Sequence, residues 1–314
     1  MPHILRRTVL CATFALFGAS AAQAGEIAVI VKTTNSTFWQ NVNKGATAGM
    51  KEVSGHTMTF SGPASESAIA DQVNLVENAV NRKVAGIVLA PSDPDALVPA
   101  IKKAWEARIP VVLIDSQVSE SGQKYYQSFL TTDNRAAGEL CAKELIAKIG
   151  TTGKVAVMSY VAGAGSEVGR VGGFTAYLKA NSKLQIVGPF YSQSQMATAL
   201  NQTTDVLAAH KDLKGIFGAN EPTAVGMGRA LAQSGRAGKV VAIGFDGNQD
   251  LQKFVADGTL AGIAVQGSYQ MGFLGVKTVG ELLQKKPVPK VRDTGVVWVT
   301  QGNLKSPEAQ AVLY

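Results

Sequence analysis

Six short segments of this 314-residue chain carry side chains that could bind or transform a small molecule. They are Lys32-Thr-Thr-Asn35-Ser36-Thr37-Phe38-Trp39, Asp115-Ser116, the loop leading to Arg170, Asn220-Glu221, Asp246 within Gly244-Phe-Asp-Gly247, and Gln266. Each follows a run of apolar, β-branched residues. Amides, carboxylates, a guanidinium and rings suit a polyhydroxylated ligand, because a hydroxyl donates and accepts at once and bonds most strongly to charged partners. The apolar C–H face of a sugar ring offers Phe38 and Trp39 a surface to cover. Each residue also has a plainer reading: Asp115 and Asn220 as helix caps, Phe38 and Trp39 as core, Arg170 as a surface charge. Recurrence at one kind of position, after strand upon strand, favours a site.

A catalytic reading has less to work with. Beyond residue 24 there are only His56 and His210, each beside an expected turn and neither with a partner at metal-ligand spacing. Neither a G-x-S-x-G elbow nor a G-x-x-x-x-G-K-[ST] phosphate loop is present. Gly163-Ala-Gly165-Ser-Glu-Val-Gly169 has the outline of a dinucleotide fingerprint, but its last glycine falls one position late and no acidic ribose ligand follows. No cofactor and no metal are expected. Asp115 and Asp246 could in principle act as acid and base, so an exported α/β enzyme acting on sugars stays open as the alternative.

The elements that must position these residues alternate along the chain. Strands are expected at 27–31, 57–60, 86–90, 111–114, 154–159, 215–218, 240–244 and 261–265, apolar on consecutive positions as strands buried on both faces are. Between them run helical stripes such as Trp39, Val42, Ala46, Met50 and Val53, with comparable ones at 69–80, 97–105, 137–149, 171–178, 200–207, 225–231 and 273–283. This order predicts an α/β protein with doubly wound parallel sheets, and too many units for one sheet. The segment 122–134, with an extended 127–131 and the capping pair Asp133-Asn134, is where two lobes would divide. In open parallel sheets ligands bind outside the carboxyl ends of the strands, where all six segments fall.

Residues 1–24 read as an export signal: Arg6-Arg7, an apolar stretch at 9–17, then Ala22-Gln23-Ala24, with cleavage expected after Ala24. The general export route is preferred over the twin-arginine route, whose pattern the basic pair only touches. No later stretch reaches the roughly 20 apolar residues that span a bilayer, so the mature protein is expected to be soluble and periplasmic. Cys141 is the one cysteine after the signal, on the apolar side of a helix, so the fold rests on its core rather than on disulfides. The formal charge of +7 is scattered, without a basic run interleaved with aromatics, which argues against nucleic acid.

The motifs together are more specific than any one of them. Ala28-Val-Ile-Val31 with Asn35-Ser-Thr-Phe38-Trp39, Gly86-Ile-Val-Leu-Ala-Pro91, Ile109-Pro-Val-Val-Leu-Ile-Asp115, Thr132-Asp-Asn134, Arg170-Val-Gly-Gly-Phe174, Ala219-Asn220 and Gly244-Phe-Asp-Gly247 resemble the ribose-binding branch of periplasmic sugar-binding proteins over nearly all of the chain beyond the signal. The resemblance implies a type I periplasmic binding protein fold that captures a sugar or polyol between two lobes and delivers it to an ABC permease. It further implies no enzymatic activity, a monomer, and a chemoreceptor as a possible second partner. It assigns ligand hydrogen bonds to Asp115, Arg170, Asn220, Asp246 and Gln266 and ring stacking to Phe38 and Trp39; Lys32, Asn35, Ser36, Ser116 and Asn134 complete the expected site. Crossovers near Thr132, Gln266 and Thr294 would make the lobes residues 25–132 with 267–294 and 133–266 with 295–314. Lys32, Ser36, Ser116 and Ser194 depart from the ribose pattern. Two cations, Lys32 and Arg170, would face two carboxylates, Asp115 and Asp246, a balance that favours a neutral ligand other than ribose.

Overall fold

Residues 25–314 are described by a computed structural model; the export signal and its cleavage site lie outside the described residues. The apolar runs form strands. Five of them, β1 (Glu26–Ile30), β2 (Thr57–Ser61), β3 (Gly86–Leu89), β4 (Val111–Ile114) and β5 (Ser128–Thr131), make one sheet. A further five, β6 (Thr152–Ser159), β7 (Lys183–Tyr191), β8 (Leu213–Gly218), β9 (Val241–Phe245) and β10 (Gly262–Gln266), make a second. Short strands β11 (Val291–Asp293) and β12 (Val296–Val299) then complete one sheet each. The orders are β11-β5-β4-β3-β1-β2 and β12-β10-β9-β8-β6-β7, the same winding twice. All pairings are parallel except β12 on β10. Strands β7, β11 and β12 were not expected from the sequence; all three lie at sheet edges, and β11 is fully exposed.

Helices cover both faces of both sheets. They are α1 (Thr37–Gly49), α2 (Ile69–Asn81), α3 (Val98–Glu106), α4 (Asn134–Ile149), α5 (Gly165–Asn181), α6 (Met196–Ala209), α7 (Glu221–Gln233), α8 (Gln249–Ala256), α9 (Ser268–Leu283) and the single turn α10 (Pro307–Gln310). Each sheet is sandwiched between two apolar clusters, as doubly wound sheets must be to bury strands on both faces. Two helix pairs approach backbone to backbone. A Cβ added at Gly45 of α1 would run into the Tyr269 carbonyl of α9, and one at Gly138 of α4 into the Arg170 carbonyl of α5. These contacts fix the helices that carry Trp39 and Arg170.

The chain passes between the sheets at three places: from β5 to β6, from β10 to α9 and β11, and from β11 to β12. The passages lie side by side. Thr294 N donates to Thr131 O at 2.8 Å, Thr132 Oγ1 to Gly295 O at 3.2 Å, and a side chain at Gly267 would strike Thr294 O. Helix α9, late in sequence, returns to the first sheet and packs on α1, β3 and β4.

Candidate functional site

The carboxyl ends of the two sheets face each other across a closed cleft, and the repeated winding sets one aspartate at the same station in each. Asp115 follows β4 and Asp246 follows β9, both in the left-handed region with φ of 60° and 77°. Each amide joins the neighbouring strand, Asp115 N to Leu130 O at 3.0 Å and Asp246 N to Ala264 O at 2.8 Å. Asp tolerates this conformation better than most residues, and such backbone geometry concentrates at functional sites. Between them lies a cavity lined by Lys32, Ser36, Phe38, Trp39, Glu66, Asp115, Tyr160, Ser166, Arg170, Asn220, Glu221, Pro222, Asp246 and Gln266.

The first lobe supplies two of the three rings in the wall, the third being Tyr160 of the second lobe. Ser36 caps α1 by accepting from Trp39 N, which places Phe38 and Trp39 on the opening turn of the helix. Their rings meet edge to face, centroids 4.8 Å apart, and join the core while also lining the cavity. Lys32 Nζ lies 2.7 Å from Asp115 Oδ2, 2.7 Å from Ser116 Oγ and 3.3 Å from Ser166 Oγ of the second lobe. An ammonium has three protons, and these contacts engage all of them. Lys32 therefore acts first on Asp115, holding it in place.

The second lobe supplies most of the polar groups. Arg170, 2% exposed, stacks on Phe245 with its guanidinium carbon 3.6 Å from the ring centre. It donates to Asn134 Oδ1 twice, to Ala219 O and to Gln266 Oε1. Four of its five N–H groups are thus engaged by protein, and one is left for the cavity. Gln266 in turn donates to Asp246 Oδ1 at 2.8 Å. Asn220 caps α7 through Oδ1 while its amide donates to Ser194 Oγ at 3.0 Å, so cap and cavity residue coincide.

The structure brings Lys32, Ser36, Phe38, Trp39, Asp115, Arg170, Asn220, Asp246 and Gln266 to the cavity. Three expected residues stand apart from it. Asn35 is on the exposed rim with its amide bonded to Ala64 O, Ser116 sits behind the Lys32–Asp115 pair, and Asn134 buttresses Arg170 from behind. Sequence reasoning missed Glu66, Tyr160 and Ser166, and left Glu221 outside the expected site. The expected balance of two cations against two carboxylates is corrected accordingly: the cavity wall carries Lys32 and Arg170 against Glu66, Asp115, Glu221 and Asp246. Burial pushes Glu221 up to about 7, with the nearby Asp246 charge adding to the effect. Burial likewise lifts Asp246 to about 6, against the pull of Arg170 and the Gln266 hydrogen bond. Among the described residues no His, Cys, Asp and Glu cluster is arranged to hold a metal ion.

A family model described as a periplasmic binding protein domain matches residues 27–287. This chain belongs to that family. Among its relatives, the D-allose-binding periplasmic protein of Escherichia coli (strain K12) is 30% identical over 297 residues, 91% of this chain and 95% of the relative. The ribose import binding protein of the same strain is 28% identical over 274 residues, 87% of this chain and 90% of the relative. Among solved structures, an ABC transporter solute-binding protein from Agrobacterium vitis with bound D-fucose is 75% identical, with a TM-score of 0.92, covering 92% of this chain and all of that one. A carbohydrate transporter solute-binding protein from Agrobacterium radiobacter in complex with D-arabinose is 34% identical with a TM-score of 0.89, covering 94% of this chain and all of the other. The two α/β lobes of this family member have the type I periplasmic binding protein fold.

Proposed function

We propose that this periplasmic binding protein captures a neutral aldopyranose of galacto configuration, D-fucose foremost, and hands it to an ABC permease in the inner membrane. The observation that carries this reading is the cavity: an apolar wall of Phe38 and Trp39 on the first lobe, and hydroxyl partners Arg170, Asn220, Asp246 and Gln266 on the second. A galacto-configured ring has its axial O4 on one face and the C–H groups of C3, C4 and C5 together on the other, so it presents one continuous apolar patch and a polar remainder. The excess of carboxylates over cations in the wall disfavours a sugar acid, whose charge would be buried among like charges. The D-fucose bound by the 75% identical Agrobacterium vitis protein supports the same class. The chain is a solute binder and not an enzyme: Asp115 is tied to Lys32 and Ser116, and Asp246 to Gln266 and the Glu221 amide, so both serve as fixed acceptors.

The lobes, residues 25–132 with 267–294 and 133–266 with 295–314, close about the three adjacent crossovers. Ligand stabilises the closed form by its higher affinity for it. The protein works as a monomer in the periplasm, released from its signal after Ala24, and the closed lobes also offer a surface for a chemoreceptor. Calorimetric titration of the protein with D-fucose, D-galactose, L-arabinose, D-ribose and D-galacturonate tests the assignment. D-Fucose and D-galactose are expected to bind tightest and D-galacturonate not at all. Asp246→Ala should weaken D-fucose roughly ten- to a hundredfold, since bonds to a charged group contribute about 1.5–3 kcal/mol. Tight binding of D-galacturonate would overturn the charge argument, and no binding of any of the five would overturn the sugar assignment.

A further inference from the structure

The loop between β2 and α2, Ser-Gly-Pro-Ala-Ser-Glu-Ser in sequence, delivers Glu66 into the cavity wall with only 7% of its surface exposed. Its two oxygens serve different lobes. Oε1 accepts the indole N–H of Trp39 at 2.8 Å, within the first lobe, and Oε2 accepts the Ser194 hydroxyl at 2.6 Å, from the second. Ser194 Oγ in turn accepts from the Asn220 amide at 3.0 Å, and Asn220 Oδ1 caps α7 at Thr223 N. One unbroken line of hydrogen bonds therefore joins a ring on one side of the cleft to an amide on the other. The backbone at Gln193 and Ser194 is left-handed, φ 56° and 54°, a conformation that neither residue favours and that points the serine hydroxyl at the opposite lobe. Among the described residues Glu66 makes no ion pair, since Lys32 is committed to Asp115 and Arg170 to Asn134, Ala219 and Gln266.

We propose that Glu66 is a positioning residue that couples closure of the lobes to the presentation of Trp39 and Asn220, a role that rests on the sugar-binding reading above. When the lobes part, Oε2 loses Ser194 to water and the Asn220 amide loses the partner that fixes its orientation. When they close, a charge-assisted bond forms in a buried setting, where such bonds are short and strong. The second Asn220 amide proton and the free lone pairs of Glu66 are left for the cavity that both residues line. The bond exists in the closed form alone, so its free energy favours that form and is read in the lifetime of the complex rather than in the rate of encounter.

Stopped-flow tryptophan fluorescence with D-fucose tests this on the wild type, Glu66→Ala, Glu66→Gln, Ser194→Ala and the Glu66→Ala/Ser194→Ala double variant. Each single alanine variant is expected to raise the dissociation rate roughly tenfold or more, with association changed less than about threefold. Glu66→Gln, which keeps one acceptor for the indole, should fall between. The double variant should dissociate no more than about threefold faster than the worse single one, because both remove the same bond. Effects that multiply in the double variant, or a lowered melting temperature with an unchanged dissociation rate, would overturn the proposal. Ser194→Ala removes only a hydroxyl from the other lobe and keeps the test open if Glu66 variants fold poorly. Should the wild type not capture D-fucose, that assignment fails while the coupling is decided by the same kinetics with whichever sugar of the titration panel the protein does capture.

Discussion

Glu221 and Asp246 show how a folded cleft changes the chemistry of ordinary carboxyl groups. The backbone N–H of Glu221 donates to Asp246 Oδ2 at 2.9 Å, and the Glu221 carboxylate accepts from Thr37 N, Thr37 Oγ1 and the Tyr314 hydroxyl, the first two from across the cleft. Arg170 and Asp115 face Asp246 from α5 and the end of β4, and Asp246 faces Glu221. Desolvation dominates, so both groups titrate above their ordinary values, at about 7 for Glu221 and about 6 for Asp246. The sign follows from linkage: a raised carboxyl favours the native form while it is protonated. The contribution is full below about pH 4 and is lost as pH rises through about 6 for Asp246 and about 7 for Glu221. Melting temperature should therefore fall between about pH 4 and pH 7, and Glu221→Gln, neutral throughout, should flatten that fall. An unchanged slope in the variant would assign the pH dependence elsewhere. In the sequence Glu221 is indistinguishable from any acidic residue in the first turn of a helix, and Glu66 stands in a Ser-Gly-Pro-Ala-Ser loop that looks like surface. Both acquire their setting only when the other lobe covers them, information that is not local to either segment.

At the scale of elements, α4 and α5 hold Arg170 in place by an approach that only glycine permits. On α5 two neighbouring glycines face opposite ways: a Cβ at Gly173 would meet the backbone of Arg135, whereas one at Gly172 meets nothing and points to solvent. Gly173→Ala should destabilise by about 1–3 kcal/mol through overpacking and weaken sugar binding by displacing Arg170. Gly172→Ala should instead stabilise by up to about 1 kcal/mol, since alanine is the better helix former. Denaturant unfolding of the two variants decides it, and equal effects would reject the packing argument. The same contrast between inside and outside governs how far the sequence could be read. Strands β1, β3, β4 and β8 to β10 are nearly continuous apolar runs because both faces are buried, and they stand out. Edge strand β7, Lys-Leu-Gln-Ile-Val-Gly-Pro-Phe-Tyr, mixes exposed and half-buried positions around a Gly-Pro break, and β11 is wholly exposed, so neither carries a burial pattern. Helix α8 spans eight residues, barely two turns, too few for a stripe to repeat. The site residues at strand ends were legible because the strands before them were.

Across the whole molecule the two lobes communicate through a narrow bundle of crossovers. Gly267, just past β10, lies against Thr294 so closely that a methyl group would press on its carbonyl. Gly267→Ala should force those two passages apart and shift the balance between open and closed forms, weakening D-fucose binding severalfold although residue 267 is absent from the cavity wall. Scattering with and without D-fucose should show a smaller compaction in the variant than in the wild type; equal compaction and affinity would place the hinge elsewhere. The late return of the chain to its first lobe has another consequence, one of order in time. Helix α9 and strand β11 complete the first sheet, yet they follow the entire second lobe in sequence. A chain made from its amino end presents residues 26–131 long before 268–293 arrive to cover Val88, Ile114 and the buried stripe of α1. The lobe begun first thus stays incomplete, and its apolar face uncovered, until α9 arrives.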